Sequence, residues 1–345
     1  MKTVEQIYEQ LSQRLRNTAP DFEIRLKAET AFRIEQLKRE RNAVILGHNY
    51  MEAALFHSIP DFTGDSLELS RRAAETDRDM IVFCGVRFMA ETAKILSPEK
   101  TVLVPSPKAG CSLAESITAA DVRALREQFP GVPVVTYINT YADVKAESDI
   151  CCTSGNAQQV VESLGSDTVI FLPDEYLAGN VAQQTGKHIV FPTKSPVGGQ
   201  TSGLDYQMIG WNGRCEVHEK FTVQDIENIR ADFPGTLILA HPECSPEVVA
   251  ASDFAGSTTA MIRYVREQQA PRYLLLTECA MGDNVAADNP DREMLRLCSV
   301  RCPHMNEITL DDTLAALEQT RYVVEVPEDI RRRAFAAVDR MLRIG

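Results

Sequence analysis

AVILGHNY (residues 43–50) is an apolar run of strand length that ends in polar, reactive side chains. VPVVTYIN (132–139) and TLILAHPE (236–243) repeat it. Unbroken runs of this kind suit strands buried on both faces, as in parallel sheets covered by helices. Ser66, Ser154 and Ser257 follow His48, Tyr137 and His241 by 18, 17 and 16 positions. Each lies in a turn that opens a helical stretch: GDSLELSRRA (64–73), CTSGNAQQVVESL (152–164) and GSTTAMIRYV (256–265). A third strand comes next, in MIVFCG (80–85), TVIFLP (168–173) and RYLLLT (272–277). A fourth is read in TVLVP (101–105), HIVFP (188–192) and MLRLC (294–298). Each unit then reaches a cysteine: GCSLAES at Cys111, GRCEVHE at Cys215 and RCPHMNE at Cys302. Strands alternating with helical stretches predict βαβ units. The expected fold is therefore α/β, with one pattern used three times.

The expected divisions are 1–110 (two opening helices and the first α/β repeat), 111–215 (the second), 216–310 (the third) and 311–345 (closing helices). The opening helices are read at Val4–Leu15 and Ile24–Arg41, the latter with Leu26, Phe32 or Ile34, and Leu37 near one face. SPVGGQTSGLDYQMIGWNG (195–213), with five glycines, is expected to be a functional loop.

A chain of 345 residues suggests two or three packed units, and 44% hydrophobic with 25% charged residues is an ordinary globular composition. The net charge of −13, with no basic tract, argues against nucleic acid as a partner. An anionic substrate must then be held by local donors such as helix N-termini. MKTVEQIYEQ lacks an apolar signal region and no stretch approaches 18 uninterrupted apolar residues. The expectation is a cytoplasmic protein with no membrane partner. Nine cysteines, an odd number, argue against a disulfide framework.

Ligands of open parallel sheets bind beyond the carboxyl ends of the strands. His48, Tyr50, Tyr137, Asn139, His241 and Glu243 lie at such ends, and Ser66, Ser154, Ser257 and Thr258 lie where the next helices start. Hydroxyls and backbone N–H groups there suit carboxylate or phosphate. Taken singly, each hydroxyl is an ordinary N-cap and each histidine an ordinary structural one. Three equivalent strand ends so equipped point to one site shared by three units.

Cys111, Cys215 and Cys302 then hold equivalent positions. A structural zinc site takes four ligands in paired spacing. Three distant thiolates suit a [4Fe–4S] cluster with one iron lacking a protein ligand, and an open iron acts as a Lewis acid. Cys298 is a second candidate for the third position, but Cys302 is preferred because it heads RCPHMNEITL. Cys84, Cys151, Cys152, Cys244 and Cys279 lie in or beside strands and are expected to be packing residues.

GHNY, GDSLELSRRA, GCSLAE, TYINT, TSGNA, GRC with VH, HPEC, GST and CPHMNEITL, in that order between about residues 43 and 320, closely resemble the quinolinate synthase family. The resemblance implies three homologous three-layer αβα domains with parallel sheets around a pseudo-threefold axis. It implies a [4Fe–4S] cluster on Cys111, Cys215 and Cys302. The implied activity is a transferase of NAD biosynthesis that condenses iminoaspartate (iminosuccinate) with dihydroxyacetone phosphate to quinolinate, phosphate and water. Implied substrate contacts fall on His48, Ser66, Tyr137, Ile138, Asn139, Ser154, His241, Pro242, Glu243 and Thr258, with proton carriers among His48, Tyr50, His241 and Glu243. Functional coupling to an L-aspartate oxidase is implied as well. Some relatives carry CxxCxxC at the third cysteine; Cys298 and Cys302 stand alone here, so a redox switch is not expected.

Other classes fit parts of the pattern. A radical enzyme using S-adenosylmethionine needs CxxxCxxC on one loop, and Met305 occupies the third place after Cys302. A non-catalytic metabolite-binding protein would use the strand ends without the cysteines. A zinc hydrolase would lack its paired-ligand motif.

Overall fold

A computed structural model describes residues 2–16, 18–192, 206–297 and 300–344. The first sheet contains β1 (Ala43–His48), β2 (Phe62–Gly64), β3 (Met80–Cys84) and β4 (Thr101–Leu103), in the order β2-β1-β3-β4. The second contains β5 (Val134–Tyr137), β6 (Ile150–Cys152), β7 (Val169–Leu172), β8 (Ile189–Val190) and β9 (Met208–Ile209), in the order β6-β5-β7-β9-β8. The third contains β10 (Leu237–Ala240), β11 (Phe254–Ala255), β12 (Arg272–Leu276) and β13 (Glu293–Leu295), in the order β11-β10-β12-β13. All neighbouring strands are parallel. The fold is the expected three-unit αβα arrangement. Every residue of β1, β3, β5 and β7 is buried, which is why these strands read as unbroken apolar runs.

The units repeat at residue level too. The N–H groups of Ile45, Val134 and Ile238 donate to Asp61, Asp149 and Asp253 at 2.8, 2.7 and 2.8 Å. The same three carboxylates pair with Lys38, Arg126 and Arg230 at 3.0, 2.8 and 3.1 Å. Each cation comes from the helix that precedes the first strand of its unit: Asp21–Glu40, Ala119–Gln128 and Val223–Asp232. One aspartate thus ties a helix to the strand it introduces.

Some sequence readings are corrected. In the second sheet the place beside β7 belongs to β9, which comes from within the glycine-rich stretch, and HIVFP supplies β8 on the edge. Met208 and Ile209 are buried where Ile189 and Val190 are only half-buried, so the more enclosed pair takes the inner position. Residues 193–205 of that region lie outside the described residues. In the second opening helix the buried stripe is Ile24, Ala28, Ala31, Ile34 and Leu37, while Leu26 is 57% exposed. Two residues are roughly 200° of helical turn, which carries Leu26 to the far side from Ile24. The short strands β2, β6 and β11, just ahead of the hydroxyl turns, are too brief to leave a pattern.

The closing helices are Leu310–Gln319 and Glu328–Leu342. The last packs on helix Ala142–Ala146 and β6 of the second unit and on helix Arg87–Leu96 of the first. Its end is tied to the centre, because Asn156 Nδ2 donates to the Ile344 carbonyl at 2.9 Å while its Oδ1 accepts from the Thr153 N–H at 2.8 Å. Among the described residues no helix is long and apolar enough to cross a membrane.

Replacing Asp149 by alanine strips the buried Val134 N–H of its acceptor. The expected cost is about 1–3 kcal/mol, read as a lower urea midpoint. An unchanged midpoint would show that the latch does not hold β5.

Candidate active site

The carboxyl ends of the strands converge on one cavity lined by residues of all three units, the kind of concave site that small molecules occupy. The first unit contributes His48, Tyr50 and Ser66, the second Tyr137, Asn139 and Ser154, and the third His241, Glu243 and Thr258. Cys111, Cys215 and Cys302 line the same cavity. Ile138 and Pro242 stand beside it, with their carbonyls accepting from Lys145 Nζ at 2.9 Å and Asn180 Nδ2 at 2.8 Å. Cys298 is outside the described residues, and Cys84, Cys151, Cys152, Cys244 and Cys279 are buried.

Capping falls on the neighbours of the site hydroxyls. Asp65 accepts from Glu68 N and Ser257 from Ala260 N, which makes them the N-caps and leaves Ser66 and Thr258 as the first helical residues. Thr258 Oγ1 accepts from Asn49 Nδ2 at 2.9 Å, so its own proton is free for a ligand. Ser257 donates to Asp65 at 2.9 Å and closes the seam between the first and third units.

Each of the three cysteines starts a helical turn. The backbone N–H groups of Leu113 and Ala114 face the Cys111 sulfur and favour its thiolate, as do those of Val217 and His218 for Cys215 and those of His304 and Met305 for Cys302. The donors are residues i+2 and i+3 in every case, the pair that an N-cap side chain satisfies. Burial nevertheless pushes the Cys111 thiol up to about 12 and the Cys302 thiol up to about 11. Cys215 is raised well above the ordinary thiol by burial, then by Glu243 and by Cys111. Three neutral thiols facing one cavity, each with two amides ready for a thiolate, suit a multivalent cationic centre. Such a charge would reverse the unfavourable ionisation.

The position of Cys215 depends on Gly213. A Cβ there would stand 2.5 Å from the Pro173 carbonyl oxygen and from Ser116 Oγ. Without one, Gly213 N donates to Pro173 O at 3.1 Å and Glu175 N to Gly213 O at 2.7 Å. Arg214 then pairs with both Glu175 oxygens, at 2.9 and 3.0 Å.

Glu243 is the charged centre. Burial would raise its pKa, but His218 and His241 outweigh it and hold the carboxyl well below the usual range. Its Oε2 lies 2.9 Å from His218 Nδ1 and 3.2 Å from His241 Nδ1, and its Oε1 accepts from Asn139 Nδ2 at 3.1 Å. The two imidazoles stack with centroids 4.6 Å apart, and His241 Nε2 reaches Ser154 Oγ at 3.2 Å. Burial lowers His48 to about 4 against the pull of Asp65. His48 Nδ1 faces the Tyr50 N–H at 3.2 Å, which leaves the proton of the neutral ring on Nε2. Burial raises Tyr50 and Tyr137 well above ordinary phenols.

Sequence reasoning gave no role to His218, Thr277, Glu278 or Asn49. Burial raises Glu278 to about 7, and it accepts from Ala280 N at 2.6 Å and from Cys302 N at 3.4 Å. A signal for the cysteine turns was present. Thr118, Thr222 and Thr309 each lie seven places after a ligand-position cysteine and cap the next helix, with Asp121, Asp225 and Asp312 three further on. Counting from Cys298 reaches Met305 instead. Cys215 Sγ, a His218 nitrogen and a Glu243 oxygen also lie within 4.8 Å of one another, the donor types of a single-cation site.

Fold and cavity define an α/β protein of three repeats that share one cavity and place one thiol each on it. Residues 32–343 match the family described as Quinolinate synthetase A protein. The chain is 53% identical over 344 residues to Quinolinate synthase 2 of Mesorhizobium japonicum, with 100% of both chains covered. It is 55% identical over 311 residues to Quinolinate synthase of Agrobacterium fabrum, covering 90% of this chain and 84% of that one. It is 49% identical over 334 residues to Quinolinate synthase of Caulobacter vibrioides, covering 96% and 86%. The chain belongs to the quinolinate synthase family.

In metal-free protein the raised thiols should make Cys111, Cys215 and Cys302 slow to alkylate at pH 7.5. Their rates should climb about tenfold per pH unit above that, as followed by mass spectrometry. Fast labelling at neutral pH would contradict the burial-raised thiols.

Proposed function

We propose that the chain condenses iminoaspartate with dihydroxyacetone phosphate to quinolinate, releasing phosphate and two waters, with a [4Fe–4S] cluster held by Cys111, Cys215 and Cys302. The observation that carries this reading is the set of three like-cradled cysteines, one from each unit, opening on the cavity that holds Glu243. When bound, such a cluster supplies a Lewis acid at the iron without a protein ligand. The reaction involves no net electron transfer.

The remaining work falls to the side chains. Glu243, buried and lining the cavity, is placed to take a proton from C3 of the imino acid and so produce the enamine carbon that attacks the ketone. His48 donates through Nε2–H to a substrate oxygen. His241 and Tyr50 carry protons to departing hydroxyls during the two dehydrations. Ser66 and Thr258 hold carboxylates or phosphate at the starts of helices, Ser154 does so from a turn ahead of the helix Ala157–Ser163 rather than from the helix start that the sequence suggested, and Tyr137 and Asn139 orient the substrate beside Glu243. An imine hydrolyses in water, so an L-aspartate oxidase supplying it is the expected partner.

The test is an anaerobic assay of iron-replete protein with both substrates, looking for quinolinate. Cys215→Ala is expected to lose iron and sulfide and to fall by roughly 100-fold or more in turnover. Full cluster and normal turnover in that variant, or one zinc and no iron in the purified protein, would overturn the proposal.

A further inference from the structure

Tyr50, Asn139 and Glu243 face the cavity from the strand ends of the first, second and third units. At each of them, the backbone carbonyls on either side are held by a single nitrogen. Asn284 Nδ2 donates to the Asn49 and Met51 carbonyls at 3.2 and 2.9 Å. Asn180 Nδ2 donates to the Pro242 and Cys244 carbonyls at 2.8 and 3.0 Å. Lys145 Nζ donates to the Ile138 carbonyl at 2.9 Å and to that of Thr140. All three holding residues are buried, and none of them lines the cavity.

A carbonyl oxygen carries no proton, so each amide must turn its nitrogen to the pair, and that one nitrogen has two N–H groups to give. A hydroxyl has one proton and an apolar side chain none, so only a carboxamide does this without burying a charge. Neither Oδ1 has a hydrogen-bond partner among the described residues, so both amides are set by their donors. Asn180 and Asn284 are each the sixth residue of the helix after the third strand of their unit, Glu175–Thr185 and Cys279–Asp288. The helix of the second unit therefore holds the turn of the third, and the helix of the third holds the turn of the first. The matching helix of the first unit, Arg87–Leu96, has Thr92 in that place, and its hydroxyl bonds within its own helix to the Phe88 carbonyl at 2.8 Å. Lys145, from the second unit itself, takes over there. The first unit meets the start of that lysine's helix through Glu91, which accepts from the Ala142 N–H at 2.8 Å.

We propose that Asn180 and Asn284 are positioning residues for the reaction: Asn180 fixes the backbone that aims the Glu243 carboxylate, and Asn284 fixes the backbone that aims the Tyr50 phenol. The inference rests on the condensation proposed above. A group that must meet one substrate atom loses rate steeply when it is displaced, and a turn held at both flanking carbonyls resists displacement. Because each amide serves a different side chain, the two can be separated by experiment.

Anaerobic, cluster-loaded Asn180→Leu and Asn284→Leu are compared with wild type, each also in a Glu243→Asp background. Leucine is close to asparagine in size and has no donors. Each leucine should lower kcat about tenfold with KM within about twofold, while iron content stays at the wild-type level. In Glu243→Asp the carboxylate is already displaced, so Asn180→Leu should cost no more than about twofold further, whereas Asn284→Leu should keep its full loss. Hydrogen–deuterium exchange read by mass spectrometry should speed up across residues 241–245 in Asn180→Leu and across 48–52 in Asn284→Leu, each leaving the other turn unchanged. Asn180→Ala and Asn284→Ala repeat the comparison where leucine prevents folding. An unchanged kcat, an Asn180 loss of the same size in Glu243→Asp, or exchange that rises equally in both turns would each overturn the proposal. A wild-type protein that makes no quinolinate would sink the proposed reaction, while the exchange rates would still decide whether each amide holds its turn.

Discussion

The backbone amides that face the three sulfurs are the constraint on which the centre depends. Each sulfur is met by the N–H groups two and three residues ahead of it, whether those residues are Leu and Ala, Val and His, or His and Met. Helical-turn geometry supplies the donors, so side-chain identity after the cysteine is free to vary between units. The amides do not suffice to ionise buried thiols that also repel one another as thiolates, as Cys111 does with both Cys215 and Cys302. A cation shared by the three would complete the balance, and it could be shared only once all three units had closed.

The same economy of local donors answers the charge problem. The chain carries −13 overall and, under the proposed reaction, receives anionic substrates. Long-range attraction cannot concentrate them, so helix starts at Ser66 and Thr258 and the N–H groups behind them must do the binding. Glu243 adds a buried negative charge to that setting. It is tolerated because Asn139 comes from the second unit to donate to one oxygen while His218 and His241 face the other. A buried carboxylate with fewer partners would protonate instead.

Closure of the units rests on links that are short but far-reaching in sequence. Asp61, Asp149 and Asp253 hold each unit together internally. Ser257 to Asp65 and Asn49 to Thr258 join the first unit to the third, and Asn156 ties the end of the closing helix to the turn that carries Ser154.

Read without a structure, the chain by itself determined its parallel α/β repeat and the kinds of chemistry at the strand ends. Buried parallel strands must be continuously apolar, and strand–helix turns must carry caps, so both leave marks within a few residues of each other. The cysteine turns left a mark as well, in the regular Thr and Asp that follow Cys111, Cys215 and Cys302. Leu26 was misplaced because helical phase decides burial more sharply than hydrophobicity does. Only the tertiary structure decided that β9 displaces β8 from the inner place of the second sheet, that Asp65 and Ser257 do the capping while Ser66 and Thr258 face the cavity, and that Glu243 is held by His218 from 25 positions upstream. These are contacts between segments distant along the chain. No periodicity or local spacing encodes them, because they are set by how three closed units meet.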